Sequence, residues 1–380
     1  MKNQSSFECI ALLLQGGGAL GSYQGGVYQA LAEAGIEPNW VAGISIGAIN
    51  AAIIAGNAPE NRLDRLRDFW ESITLAPPVY LSAFTRNDIA HNLLNRAYAN
   101  VAMFAGVSGF FKPRMTNPWV NLPGPDATSF YDTTPLKPLL ERLIDFDRIN
   151  SGAMRFSVGA VNVCTGNFTY FDNTTHTIGP EHVMASGGLP PGFPAIEVDN
   201  EHYWDGGLVS NTPLDWVLGS KPQQDTLAFQ VDLWSAQGEL PNTMPKVLMR
   251  QKEIQYSSRT RYSTDRFRHI QKLRYAVANI LDHLPKELQK LPDVEFVRPE
   301  AVRKVYNIVE LIYRTQSYEG DSKDYEFSRR SMELHWKAGY FDTIASLKNK
   351  RIFKRSDTEI VQTFDAALET ENEAQQKVAV

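Results

Sequence analysis

From Phe7 to Leu14 the chain is apolar but for Glu8 and, after Gln15, meets three glycines, the pattern of a parallel strand buried on both faces and closed by a sharp turn. Helical spacing follows at once. Within residues 22–34, Tyr23, Val27, Ala30 and Leu31 recur at intervals of three and four, and Gly35 is a stop signal. A second short apolar stretch, Trp40 to Gly43, runs into Gly43-Ile44-Ser45-Ile46-Gly47 and then the apolar run 48–56. Two successive strand–turn–helix units predict an α/β fold around a mainly parallel sheet. Further strands are expected at 156–163, 168–171 and 227–233, so the sheet draws on segments more than 200 residues apart.

Between Pro77 and Pro138 the pattern dissolves into proline, Asn and Gly interleaved with Tyr98, Phe104, Phe110, Phe111, Trp119, Phe130 and Tyr131, which reads as a long insertion. Past Leu233 the spacing turns helical, with Ile270, Leu273, Val277, Ile280, Leu281 and Leu284 on one face at 3.6-residue spacing. The last ten residues are polar and expected to fray.

Composition changes this picture little: 380 residues with 43% hydrophobic and 21% charged positions make an ordinary globular chain. One main domain with an extension is expected, since single cores stop growing at about 250–300 residues. A net charge of −5 gives no global field to gather nucleic acid, so such a partner is not expected. Cys9 and Cys164 are 155 positions apart in apolar stretches, which predicts two buried, inert thiols and no disulfide framework. The N-terminus lacks a small-residue cleavage pattern and no window reaches about 18 apolar residues, so a cytoplasmic, non-spanning protein is expected.

Candidate chemistry sits at three places. Gly16-Gly17-Gly18-Ala19-Leu20-Gly21 satisfies GxGxxG, yet the next strand closes in Gly43-Ile44-Ser45 where a dinucleotide site wants an acidic residue. That leaves a tight turn, or a cradle of backbone N–H groups for developing negative charge at a helix N-terminus. Gly43-Ile44-Ser45-Ile46-Gly47 has the strand, helix and small flanking residues of a nucleophile elbow, with a plain N-cap role for Ser45 as the lesser alternative. Asp205-Gly206-Gly207 could be a plain turn, or could supply the carboxylate base that a hydroxyl nucleophile needs. Of seven histidines, His202 is the reserve candidate for that base. No His/Cys cluster has metal-ligand spacing, and neither a metal nor another cofactor is expected.

In order and context the three motifs resemble the patatin-like phospholipases, over roughly the first 230 residues and including the segment Ala185–Pro194. The resemblance implies a three-layer α/β/α sandwich, with residues 1–233 as the catalytic domain and 234–380 as a mostly helical C-terminal extension. It also implies a serine lipid acyl hydrolase without a catalytic histidine: Ser45 as nucleophile, Asp205 as general base, and Gly16, Gly17 and Gly18 as the oxyanion hole. The family's glycine motif usually carries Arg or Lys where this chain has Leu20.

A lipid or other acyl-ester substrate is the partner so implied. The aromatic insertion 77–138 could form a lid or acyl groove, or a satellite core. Lys246 to Arg274 holds nine Lys/Arg against Glu253 and Asp265, a local balance of +7 that could sit peripherally on anionic headgroups or be a solvated helix face. Two alternatives stay open: hydrolysis of another ester or thioester, such as a storage polyester or acyl carrier, and a membrane-associated scaffold without turnover.

Overall fold

The computed structural model describes residues 6–75, 88–114, 128–257, 260–316, 319–320, 322–356 and 360–365, the side chains of 88–90 and 260–263 excepted. Trp119 and the last ten residues lie outside them.

The chain opens as expected, with β1 (Cys9–Leu14), α1 (Ser22–Glu33), β2 (Trp40–Gly43) and α2 (Ile46–Ala55). The helices α3 (Pro59–Ser72) and α4 (Asp88–Ala105) follow, then a small hairpin of β3 (Lys112–Pro113) and β4 (Tyr131–Asp132), then α5 (Leu136–Leu143) and α6 (Phe146–Asn150). Next come β5 (Arg155–Asn162), β6 (Phe168–Asp172), α7 (Pro180–Ser186), β7 (Ile196–Val198), β8 (Glu201–Asp205), α8 (Leu214–Gly219) and β9 (Thr226–Asp232). The C-terminal part supplies α9 (Met244–Tyr256), α10 (Thr260–Asp282), α11 (Pro292–Val297), β10 (Tyr306–Ile312), α12 (Arg329–Leu347) and β11 (Val361–Asp365).

Among the described residues these strands form a nine-stranded sheet in which β11, β10, β9, β1, β2 and β5 run parallel in that order. β6 and β8 pair antiparallel with β5, and β7 pairs antiparallel with β8. Alternation along the strands sends Cys9, Ala11, Leu13, Ala228 and Ile308 to one face, against α8 and Phe267 of α10. Leu12, Leu14, Phe229, Val231 and Val309 face the other way, into the larger core under α1, α2 and α12. The result is the expected three-layer α/β/α sandwich.

The C-terminal part is largely helical, as expected, but it also adds β10 and β11 to the same sheet, beyond β9. α12 lies on α1 at backbone contact, because Gly26 and Gly339 leave no side chain between them. A Cβ on Gly26 would overlap the Trp336 carbonyl, and one on Gly339 the Tyr23 carbonyl. Trp336 donates its indole N–H to Gln29, and Tyr23 donates its hydroxyl to Asp342, 2.8 Å away.

One expectation, the burial of both thiols, is corrected, and the docking side of α10 differs from its apolar stripe. Helix α10 buries Thr264, Phe267, Gln271 and Ala278, while Leu273 and Ile280 of that stripe are exposed. The helix docks where the Phe267 ring meets the Tyr306 ring edge-on at 4.9 Å, which turns the richer apolar stripe outward. Cys9 is buried, but Cys164 is exposed, because Val163 to Gly166 turns away from the sheet after β5. No described helix is long and apolar enough to cross a membrane.

Candidate active site

The register of β5 brings the two distant motifs together. Ala160 and Val161 pair with both β6 and β8, so those two strands occupy opposite edges of β5. Val158 pairs with both β6 and β2, which puts β2 on the same edge as β8. Along that edge β2 ends at Gly43 opposite Val158, and β8 ends at Asp205 opposite Ala160. Because β2 is parallel and β8 antiparallel to β5, their C-terminal ends meet head to head, and Ser45 emerges beside Asp205.

Ser45 occupies a strained turn with φ 55° and ψ −124°, a left-handed backbone that L-residues avoid unless their surroundings impose it. The imposition is steric. A Cβ on Gly43 would overlap the Gly47 carbonyl, and one on Gly47 the Leu14 carbonyl, so the elbow closes only with glycine at both positions. Ser186 locks it from behind: its hydroxyl accepts from the Ser45 N–H at 3.0 Å and donates to the Gly159 carbonyl at 2.7 Å. Ser45 stands at the N-cap position of α2, yet its side chain makes no capping bond. The hydroxyl instead lies beside the Asp205 carboxylate, near enough to favour its ionised form.

Asp205 is 2% exposed, and burial pushes its carboxyl up to about 6 despite the opposing influence of the nearby Ser45 hydroxyl and the hydrogen bond from the Gly207 N–H. That bond is 2.7 Å long. A desolvated carboxylate beside a hydroxyl, titrating near neutrality, has the properties of a general base. His202, the reserve candidate, lies exposed on β8, and by strand alternation its side chain faces away from that of Asp205.

The glycine run makes a turn directly over Ser45, since a Cβ on Gly16 would stand 3.0 Å from the Ser45 Cβ. The Gly16 N–H donates to the Asn211 carbonyl at 3.4 Å. The N–H groups of Gly17, Gly18 and Ile46 have no acceptor among the described residues. Leu20, which stands where the family carries a cation, is fully buried in the main core.

Several residues that hold this turn were not singled out from the sequence. Asn211 donates its side-chain N–H to the Gly16 carbonyl at 3.0 Å, and Trp234 donates its indole N–H to the same oxygen at 3.0 Å. Gln15, fully buried, accepts from the N–H groups of Leu233 and Trp234 and donates to Thr212. The Ala19 N–H donates to the Asp324 carbonyl at 2.8 Å. A polar residue closing an otherwise apolar strand could have marked Gln15; Asp324 carries no local signal.

Ser45, Asp205 and the three glycines border one cavity of about 380 Å³. Its opposite wall is a cluster of aromatic rings, Phe110, Phe111, Tyr131, Phe193 and Phe327, with centroids 4.9–6.3 Å apart. Three of those rings come from the insertion, whose described part therefore lines the site as well as packing into the main core. Among the described residues, four of the nine cations of the basic run 246–274 are paired within the molecule, two of them with acids from outside the run. Arg250 pairs with Glu253, Lys252 with Asp324, Arg268 with Asp265 and Arg274 with Glu300.

The patatin-like phospholipase family model matches residues 12–218, more than half of the chain, and a second model described as patatin phospholipase matches residues 254–359. Patatin-like phospholipase domain-containing protein 7 of Rattus norvegicus is 32% identical over 114 residues, 28% of this chain and 8% of that protein. The chain thus matches only a small part of that relative. The crystal structure of VipD from Legionella pneumophila aligns with a TM-score of 0.37 at 16% identity, over 91% of this chain and 67% of that one.

Proposed function

Since the chain belongs to the patatin-like phospholipase family, we propose that it is a serine lipid acyl hydrolase with Ser45 as nucleophile, Asp205 as general base and the Gly16–Gly18 turn as oxyanion hole. The observation that carries this reading is the Ser45 hydroxyl beside a buried carboxylate, both lining one mainly apolar cavity.

Asp205 takes the Ser45 proton as Oγ attacks the ester carbonyl. The carbonyl oxygen becomes an oxyanion, received by the Gly17 and Gly18 N–H groups, each worth roughly 3–4 kcal/mol in comparable sites. Helix α2 begins immediately after Ser45, so the positive end of its dipole adds to this stabilisation. Collapse of the intermediate expels the alcohol, which leaves with the proton held by Asp205. Water, deprotonated by Asp205, then attacks the acyl-serine, and the carboxylic acid departs as Ser45 recovers its proton.

The aromatic wall and the absence of a cation at position 20 support recognition through the acyl chain more than through an anionic headgroup. The test is labelling with a fluorophosphonate and turnover of acyl esters of graded chain length. Ser45→Ala is expected to abolish both, Asp205→Asn to cut kcat by roughly 10²–10⁴-fold, and His202→Ala to leave turnover unchanged. Hydrolysis that survives Asp205→Asn but disappears in His202→Ala would overturn the assignment of the base.

A further inference from the structure

Two adjacent residues of the C-terminal part, Lys323 and Asp324, are each held by a residue of opposite charge on α9, and those partners are themselves adjacent. The Lys323 ammonium donates to Glu253 at 3.2 Å, with its side chain only 2% exposed. Lys252 donates to both carboxylate oxygens of Asp324 at 2.9 Å. Charges alternate across the contact, so a shift of the loop by one residue would set Lys323 against Lys252 or Asp324 against Glu253. The clamp therefore fixes register as well as distance.

What it fixes is the backbone of Asp324, whose carbonyl accepts the Ala19 N–H at 2.8 Å. Gly18 is pressed against that same carbonyl: with φ 55° it has no room for a Cβ, which would overlap the Asp324 oxygen. The other end of the turn is held by the same helix. The carbonyl of Tyr256, the last residue of α9, accepts from Gln15 at 3.1 Å and from Asn211 at 2.8 Å, and Asn211 in turn holds the Gly16 carbonyl. Lys323 also lies 5.0 Å from the centroid of the Trp234 ring, whose N–H binds Gly16. Both ends of the glycine turn are thus tied to one helix and one loop from beyond β9.

We infer that the crossed pairs Lys252–Asp324 and Glu253–Lys323 are a positioning device that aims the Gly17 and Gly18 N–H groups at the reacting carbonyl. None of the four acidic or basic groups has a role in the proposed proton transfer. The inference rests on the assignment of those N–H groups as the oxyanion hole.

The Lys252–Asp324 pair is the one to probe, because both side chains keep some exposure, 31% and 22%, so substitution there is expected to leave the fold intact. Lys252→Ala is expected to lower kcat and the rate of fluorophosphonate labelling together by about 10- to 100-fold, since both reactions need the same N–H groups in place. KM and Tm are expected to stay close to wild type, and Lys252→Arg to recover most of the rate. Amide hydrogen exchange over residues 16–21 is expected to accelerate in Lys252→Ala and in Asp324→Ala but not in Lys252→Arg. Unchanged kcat, or a rate loss matched by a fall in Tm, would overturn the inference. So would unaltered exchange in the turn, a readout that needs no turnover. A wild-type chain that neither labels nor hydrolyses would refute the functional reading separately, with exchange still deciding whether the clamp holds the turn.

Discussion

At the scale of single residues the site turns on the environment of one carboxyl group. Asp205 must be ionised to accept the Ser45 proton, and burial lifts its titration to about 6. The log of kcat/KM is therefore expected to climb with unit slope below about pH 6 and level off above it; a profile flat down to pH 4.5 would exclude Asp205 as the base. The same burial costs stability, and its sign can be worked out. With a folded pKa above the ordinary 3.8, the folded chain binds more protons than the unfolded one between about pH 4 and 6, so stability falls as pH rises through that window. The difference amounts to about 3 kcal/mol above pH 6. Asp205→Asn is thus expected to raise Tm at pH 7.5 while losing activity, and to lose that advantage near pH 4, which thermal denaturation at the two pH values measures. Ser45 and Asp205 were legible in the sequence because each lies in a short motif whose glycines answer a local steric demand. Asn211 and Asp324 were not, since their work is done on Gly16 and Ala19 through hydrogen bonds that span 195 and 305 positions and leave no spacing to read.

At the scale of elements, close approach of backbones explains glycines that helix propensity alone would disfavour. Gly25 and Gly26 lie within the first two turns of α1, where Ala would stabilise an isolated helix by roughly 0.5–1 kcal/mol. Here the gain is outweighed by the contact with α12. Gly26→Ala is expected to destabilise the fold by about 3 kcal/mol or more, because the added methyl meets the rigid Trp336 carbonyl and not a side chain that can move aside. Gly219→Ala, at the end of α8 with nothing within 4 Å of its Cβ, is the control, expected to be neutral or slightly stabilising in the same denaturant titration. Equal effects of the two substitutions would show that α1 and α12 are not in backbone contact. The strands β1 and β2 could be read because burial makes them continuously apolar, and β5, β6 and β9 because their apolar or alternating runs are bounded by turn residues. The docking face of α10 could not, because its inner positions include Thr264 and Gln271 while Leu273 and Ile280 face outward, so amphipathic spacing pointed to the wrong side.

At the scale of the whole molecule, the question is whether residues 234–380 are an appendage or part of one folding unit. Strand β9 is not an edge strand: it pairs with β1 on one side and with β10 on the other, through register contacts from Tyr306–Thr226 to Ile312–Asp232. Removal of the C-terminal part would bare the edge of a fully buried seven-residue strand, of the kind that invites intermolecular pairing. It would also uncover the glycine face of α1 and remove the Asp324 and Tyr256 carbonyls that hold the glycine turn. The α1–α12 contact and the shared sheet give the two parts a common core, with Leu311, Tyr313, Met332 and Trp336 in the same buried cluster as Leu12 and Leu14. The full chain is accordingly expected to unfold in a single calorimetric transition whose van't Hoff and calorimetric enthalpies agree. A chain ending at Leu233 is expected to be aggregation-prone, to bind a hydrophobic dye and to show no cooperative melt. A 1–233 fragment that melted cooperatively and labelled at Ser45 would show instead that the catalytic part stands alone, with β10 and β11 as additions to a sheet already complete.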